Sequence, residues 1–185
     1  MSEFIQLLIN WDTHLFYFFN TALSNSLFDW LMPVITNKTN WYYPAGLFLL
    51  FLLVKGGKKG RTAVVLIIII LIINDQVTNA LLKPMVGRIR PCKTLEGLRL
   101  LVSCGGKFSF PSAHASNVAA IATLFSFYYR SYTWVWVTIA FFVGYSRVYV
   151  GVHYPLDVIA GWILGAFIAY LIIQIYQKSK TLLNK

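Results

Sequence analysis

The run Ser146-Arg-Val-Tyr-Val-Gly-Val-His-Tyr-Pro-Leu-Asp157 closes one long apolar stretch and opens the next. It gathers Arg147, His153 and Asp157 in a chain where only 12% of residues are charged. Pro155 suits the first turn of a helix, because its missing N–H would have had no intrahelical partner. His153 then falls just before a helix and Asp157 within its first turn, where the dipole favours a carboxylate. A carboxylate four residues on can hold one imidazole nitrogen and leave the other free to attack, the orienting arrangement of an activated nucleophile. Taken alone, the same run also fits a polar connection between two helices at a membrane surface.

Outward from this run the chain is strongly apolar: 58% of its 185 residues are hydrophobic, with a mean hydropathy of +0.65. That lies above an ordinary soluble domain, and several apolar runs approach or exceed the roughly 20 residues that cross a bilayer. The expected fold is all-α, one polytopic membrane bundle over residues 1–185 with five spanning helices (six if the N-terminal stretch also crosses). Residues 1–37 read instead as two short amphipathic helices lying in the interface. There Asn10, Asp12, His14, Asn20, Ser24 and Asp29 interrupt the aromatics, and a spanning helix would have to carry Asp29. His14 reads as an interfacial side chain. The first stretch also lacks the basic start and small-residue cleavage site of a secretory signal.

The spanning bundle is expected over residues 41–177. Its apolar runs are 41–54, 62–82, 112–130, 132–150 and 155–177, with a basic turn at 55–61 and a polar loop at 83–111. Asp75, Asn79 and Lys83 are four apart and share a helix face; Asp75 and Asn79 read as interhelical hydrogen-bonding groups. Counting crossings puts the 83–111 loop and the 150–155 turn at one membrane face, whichever way the chain is oriented. Lys and Arg divide eight to eight between the two faces, so the positive-inside count alone does not orient it. Discounting Lys83, Arg90 and Arg147 as ligand-binding tips the count towards a motif face outside and a cytoplasmic tail.

A formal charge of +10 suggests anionic headgroups or a phosphate ligand, and its spread along the chain tells against nucleic acid. Three motifs gather at the motif face. Lys83-Pro-Met-Val-Gly-Arg-Ile-Arg90-Pro91 sets two cations seven residues apart where a helix exits. Pro111-Ser-Ala-His114 opens a helix with Ser112 as N-cap, and its first-turn amides at Ala113 and beyond make an anion site. The opening run is the third. Cations held at a membrane boundary are costly unless paired or functional. Only Glu96 and Asp157 lie in these segments to neutralise them, so a phosphate fits. Cys92 and Cys104 fit no two-plus-two zinc spacing, and a disulfide is the sharper reading if their loop faces an oxidising compartment.

Together, Lys-six residues-Arg-Pro, Pro-Ser-x-His and Ser-Arg-five residues-His-three residues-Asp resemble the type 2 phosphatidic acid phosphatase family over about residues 60–175. Ala113 stands where that family usually has Gly. The resemblance implies a metal-independent phosphatase with a phosphohistidine intermediate and no cofactor. It casts His153 as nucleophile, Asp157 as its orienting group and His114 as acid and then base. Lys83, Arg90, Ser112, Ala113 and Arg147 would hold the phosphoryl oxygens. The implied partner is a membrane lipid phosphate: lipid A 1-phosphate or undecaprenyl diphosphate ahead of phosphatidylglycerophosphate and phosphatidate, because Lys93, Arg99 and Lys107 suit a bulky anionic headgroup. Arg88 reads as a headgroup contact. The setting implied is a bacterial inner membrane with the site facing the periplasm; oligomeric state is left open. Asp157 is expected to raise the pKa of His153. Two other readings use the same residues. Three nearby cations tell against a metal on the histidines, and a non-enzymatic lipid-phosphate binder or small transporter would have no need of the His–Asp pair.

Overall fold

The aliphatic run after the basic turn becomes one of the two long helices of the protein. In the computed structural model, which describes residues 3–183, α1 covers Glu3–Tyr17 and runs on as a π-helical turn, Phe18–Ala22. Helix α2 is Ser26–Thr36 and α3 is Thr39–Lys55. Helix α4 begins at Gly57 and continues through a π-helical stretch, Gln76–Leu82, to Val86. A single turn, α5 (Pro91–Thr94), precedes α6 (Ala113–Tyr128), α7 (Thr133–Tyr149) and α8 (Pro155–Leu183). Among the described residues only α4 and α8, about 45 Å long at ~1.5 Å per residue, are by themselves long and apolar enough to cross a membrane. The others of the bundle, α3, α6 and α7, have 16 or 17 residues. Of the basic residues expected in the 55–61 turn, Lys55 ends α3 and Lys58, Lys59 and Arg61 lie in the first turns of α4.

Local signals account for the helix ends. Asn25 caps α2 through its side chain, accepting from the Phe28 amide at 2.9 Å. Gly87, at φ 66°, stops α4 in the left-handed conformation that glycine adopts without strain. Pro155 opens α8 as expected.

The core is built where α4, α6 and α8 meet, with Leu66, Ile67 and Ile70 against Ala120 and Leu124 and against Ala169 and Ile173. Helices α6 and α8 approach closely because α8 presents Gly161 and Gly165. A Cβ at Gly161 would lie 2.6 Å from the Ser112 carbonyl, and one at Gly165 would overlap that of Ser116. Small residues four apart allow this approach between apolar helices. One polar contact crosses the core: Asn74 accepts from Ser116 at 2.7 Å and donates to Asn117. The interhelical role expected of Asp75 and Asn79 therefore falls to Asn74. Residue 75 is turned ~100° further round the helix, and Asp75, Asn79 and Lys83 bond one another along the exposed side of α4.

The two N-terminal helices lie across one end of this bundle. Asp12 accepts from the Leu156 amide at the start of α8, Tyr17 donates to the Glu96 carbonyl, and Asn20 donates to the carbonyls of Arg99 and Tyr149. Phe16 is buried against Val148, Tyr154 and Val158, and Met32 against Tyr149, Val150 and Val152. These contacts, spread along α1 and α2, all reach the same end of the bundle.

Candidate active site

At that covered end, backbone bonds bring the three sequence motifs together. The Ser112 amide, opening α6, donates to the Asp157 carbonyl in the first turn of α8 at 2.9 Å. The amides of Val152 and His153 fold back onto the Arg147 carbonyl at the end of α7, both at 3.2 Å. Gly151 makes this fold possible: its φ is 88°, and a Cβ there would meet the Arg99 carbonyl at 2.5 Å. Segment 88–90 is tied to 107–109, with the Ser109 amide donating to the Arg88 carbonyl at 2.8 Å. Cys92 and Cys104 are joined as a disulfide within the same loop.

His153 is 1% exposed. Its Nδ1 lies 3.4 Å from Asp157 Oδ2, which also accepts from the Tyr154 amide at 2.9 Å. Its Nε2 lies 3.1 Å from Arg90 Nη1. A guanidinium only donates, so this contact requires the lone pair of a neutral imidazole at Nε2, with the proton on Nδ1. Burial drives the pKa of His153 well below the ordinary 6.5, and the charges of Arg147, Arg90 and Lys83 add to that. The upward shift expected from Asp157 is overturned, because desolvation and three cations outweigh one carboxylate already engaged elsewhere. His153 is therefore neutral, with its lone pair at Nε2.

The cations expected to hold phosphate converge here. Arg90 is buried and anchored through Nε to the Gly106 carbonyl (2.8 Å) and through Nη1 to that of Val152 (3.1 Å). Arg147, 9% exposed, donates from Nη1 to the Thr36 hydroxyl of α2, while its buried Nε has no partner. Lys83 donates to Asn79 at 2.6 Å. Ser112 caps α6 only weakly, its hydroxyl 3.5 Å from the Ala115 amide; among the described residues no bond takes the first-turn amides of Ala113 and His114. Ala113 takes the family's glycine position without strain, since among the described residues only glycines have positive φ. His114, in the same turn, lies within electrostatic reach of Arg147, His153, Lys83 and Lys38.

The PAP2 superfamily model matches residues 42–181. The chain belongs to the PAP2 superfamily. Among curated PAP2-type relatives, a lipid A 4'-phosphatase of Bacteroides thetaiotaomicron is 35% identical over 184 residues, covering 94% of this chain and 80% of that protein. An undecaprenyl-diphosphatase of Sulfolobus acidocaldarius is 40% identical over 102 residues, 54% of this chain and 48% of that one. The crystal structure of Aquifex aeolicus LpxE superposes with a TM-score of 0.71 at 26% identity, covering 88% of this chain and 94% of that one. A PAP2-type phosphatidylglycerolphosphate phosphatase from Bacillus subtilis shares the fold, with a TM-score of 0.72 at 23% identity over 96% of this chain and 88% of that one. This PAP2 protein is a phosphatase of membrane lipid phosphates, and the non-enzymatic reading falls away.

Two expectations about the cations are corrected by the PAP2 site. Arg88 does not face a headgroup. It bridges two fully buried carboxylates, Asp12 at 2.6 Å and Asp157 at 2.8 Å, and stacks on the Tyr154 ring at 3.9 Å. Arg99 is likewise spent on Asp29, whose other oxygen accepts from the Tyr149 hydroxyl at 2.7 Å. The Arg99 bond first, and the Tyr149 hydroxyl after it, hold the Asp29 carboxyl below its usual range. Lys93 and Lys107 stay exposed. Asp12 and Thr36 were missed as parts of the site. Asp12 contacts residues 76 and 144 positions away, and both lie before residue 42, where the family match starts. The sequence signal that could have found Asp12 is its carboxylate on an otherwise apolar face; it is buried in a helix whose neighbours are exposed.

The charge balance at the site follows from these pairs. Lys83, Arg88, Arg90 and Arg147 gather around Asp12 and Asp157, with Asp75 one side chain beyond Lys83 and His153 neutral. Cations outnumber carboxylates there, which suits a phosphate anion.

Proposed function

We propose that this protein removes a phosphate from a membrane lipid through a phosphohistidine intermediate. The observation that carries the reading is His153 itself, with its proton on the Asp157 side and its Nε2 lone pair turned to Arg90 among the gathered cations. As substrate binds, the Arg90 guanidinium leaves Nε2 for a phosphoryl oxygen, and the unpaired Arg147 Nε takes another. Nε2 attacks phosphorus, the phosphorus–oxygen bond to the lipid breaks, and the departing oxygen takes a proton from His114. Water then loses a proton to His114 and attacks phosphorus, releasing phosphate and restoring His153. The first proton on His114 enters with the substrate, which arrives as its monoanion and passes that proton to the imidazole. Phosphoryl transfer needs chiefly such positioning and charge stabilisation, and no step requires a metal.

The substrate we favour is a lipid A phosphomonoester, ahead of undecaprenyl diphosphate, phosphatidylglycerophosphate and phosphatidate. Support comes from relatives named for lipid A, one of them aligned along 94% of this chain. Helices α3, α4, α6, α7 and α8 would cross the bilayer, with α1 and α2 in the interface of a bacterial inner membrane on the periplasmic side. This puts the site at the depth of a lipid headgroup.

The test is phosphate release by purified protein from this lipid panel, with lipid A carrying phosphate at the 1 or the 4' position only. The expected result is preferential release from one lipid A form, with His153→Ala inactive but still binding lipid. Turnover of soluble phosphates alone would sink the lipid reading, and full turnover by His153→Ala the phosphohistidine.

A further inference from the structure

At the other end of the bundle, more than 20 residues along α4 from Lys83, three helix ends enclose a groove of ≈ 620 Å³. Lys58, Lys59 and Arg61 project from the start of α4 and Lys180 from the end of α8, around the rings of Tyr128 and Tyr176. No acidic residue lines it. All six acids of the chain lie elsewhere, and no ion pair among the described residues involves these four cations.

Three features set this groove apart from an ordinary basic membrane edge. Cations are favoured at helix C-termini and disfavoured at N-termini, where the dipole is already positive. Lys58, Lys59 and Arg61 crowd the first turns of α4, whose N-cap, Gly56, offers no side chain to the free amides. The C-terminal carbonyls of α3, one of which takes Arg61, offset part of that crowding, and an anion in the groove relieves the rest. Arg61 is fixed by a bond from Nε to the Leu53 carbonyl at 3.1 Å, and Lys59 lies over the Tyr129 ring at 4.7 Å. Finally, the Tyr128 hydroxyl is buried in the groove wall without a hydrogen-bond partner, which is costly unless a ligand oxygen supplies one.

We infer that this groove binds the phosphate-bearing headgroup of an anionic phospholipid, at the membrane face opposite the catalytic site. The four cations meet the phosphate charge, the Tyr128 hydroxyl donates to a phosphate or glycerol oxygen, and the apolar flanks of α4 and α8 take the acyl chains. The site is separate from the reaction centre, so its occupancy does not depend on which lipid phosphate is hydrolysed.

Native mass spectrometry of the full-length protein tests this, with phosphatidylglycerol against phosphatidylcholine in mixed micelles. Wild-type protein should retain one phosphatidylglycerol in preference to phosphatidylcholine. The variant with Lys58, Lys59, Arg61 and Lys180 all changed to Gln should hold it at least about tenfold less tightly, in line with the attraction of each basic residue for anionic headgroups. Tyr128→Phe should weaken retention by a smaller factor. A control carrying Lys55→Gln, Arg130→Gln and Lys178→Gln removes charge from the same end outside the groove, and should retain the lipid. Turnover of a soluble phosphomonoester should be unchanged in all of them, which shows that the variants fold. Equal loss in the control, or no preference over phosphatidylcholine in wild type, overturns the site. If inorganic phosphate in zwitterionic micelles raises the melting temperature of wild type but not of the four-Gln variant, as much as the lipid does, the occupant is a soluble phosphate and the headgroup assignment falls.

Discussion

Replacing Arg88 by Met would remove the one cation that separates Asp12 from Asp157. Its two guanidinium nitrogens lie 2.6 and 2.8 Å from these carboxylates, both of which are fully buried. Deleting one partner of a buried ion pair costs about 3–5 kcal/mol. Arg88 is 21% exposed, which places the loss nearer the lower figure. The stranded carboxylates relieve the cost when one of them takes a proton. Where that is Asp157, the bond orienting His153 becomes neutral. Hydrogen bonds to charged groups are worth about 1.5–3 kcal/mol, so turnover should fall roughly 10- to 150-fold. Asp12→Asn removes the second charge yet keeps an acceptor for the Leu156 amide. Combined with Arg88→Met it leaves Asp157 as the lone carboxylate, and part of the damage should be reversed. A double-mutant cycle on kcat and on thermal midpoint in detergent should therefore give a favourable coupling of about 1–2 kcal/mol, a factor of 5–30. Strict additivity, or a double variant no better than Arg88→Met, would refute the bridge as an element that positions Asp157.

The acid limb of kcat/KM should lie below pH 6.5, because burial and cations keep His153 neutral there; a midpoint at or above 6.5 in the pH profile would contradict this. Stability should follow the same group. The unfolded chain takes up a proton near pH 6.5 that the folded state refuses, so stability is full above that pH and falls as pH drops towards the depressed folded value, as pH-dependent melting would read. Arg147→Lys should lower turnover roughly 10- to 150-fold despite the retained charge, since an ammonium cannot hold Thr36 and offer a second planar donor to phosphate. Wild-type kinetics in that variant would remove Arg147 from phosphate binding. Gly161→Ala should cost about 1–3 kcal/mol in stability and reduce kcat together. Its Cβ, 2.6 Å from the Ser112 carbonyl, pushes apart the helix starts that carry His114 and Asp157; an unchanged melting temperature would show that the helices yield without strain.

Helical composition, the apolar runs and the order of the three motifs were legible in the chain because each is local. Pro155 ahead of a helix, Ser112 as a cap and an Asp four residues beyond a His depend on backbone chemistry within a turn or two. The pairings of Arg88 and Arg99 were not legible, because a cation in a polar loop looks the same whether it meets a headgroup or a carboxylate from a distant helix. Only the packing of α1 and α2 across the bundle end, which buries Asp12 and brings Asp29 to Arg99, decided between them. The charge state of His153 was equally a tertiary matter. Its neighbour in sequence argued for a raised pKa, whereas desolvation and cations from three separate segments set it low, since electrostatic free energy depends on distance and burial in space and not on separation along the chain.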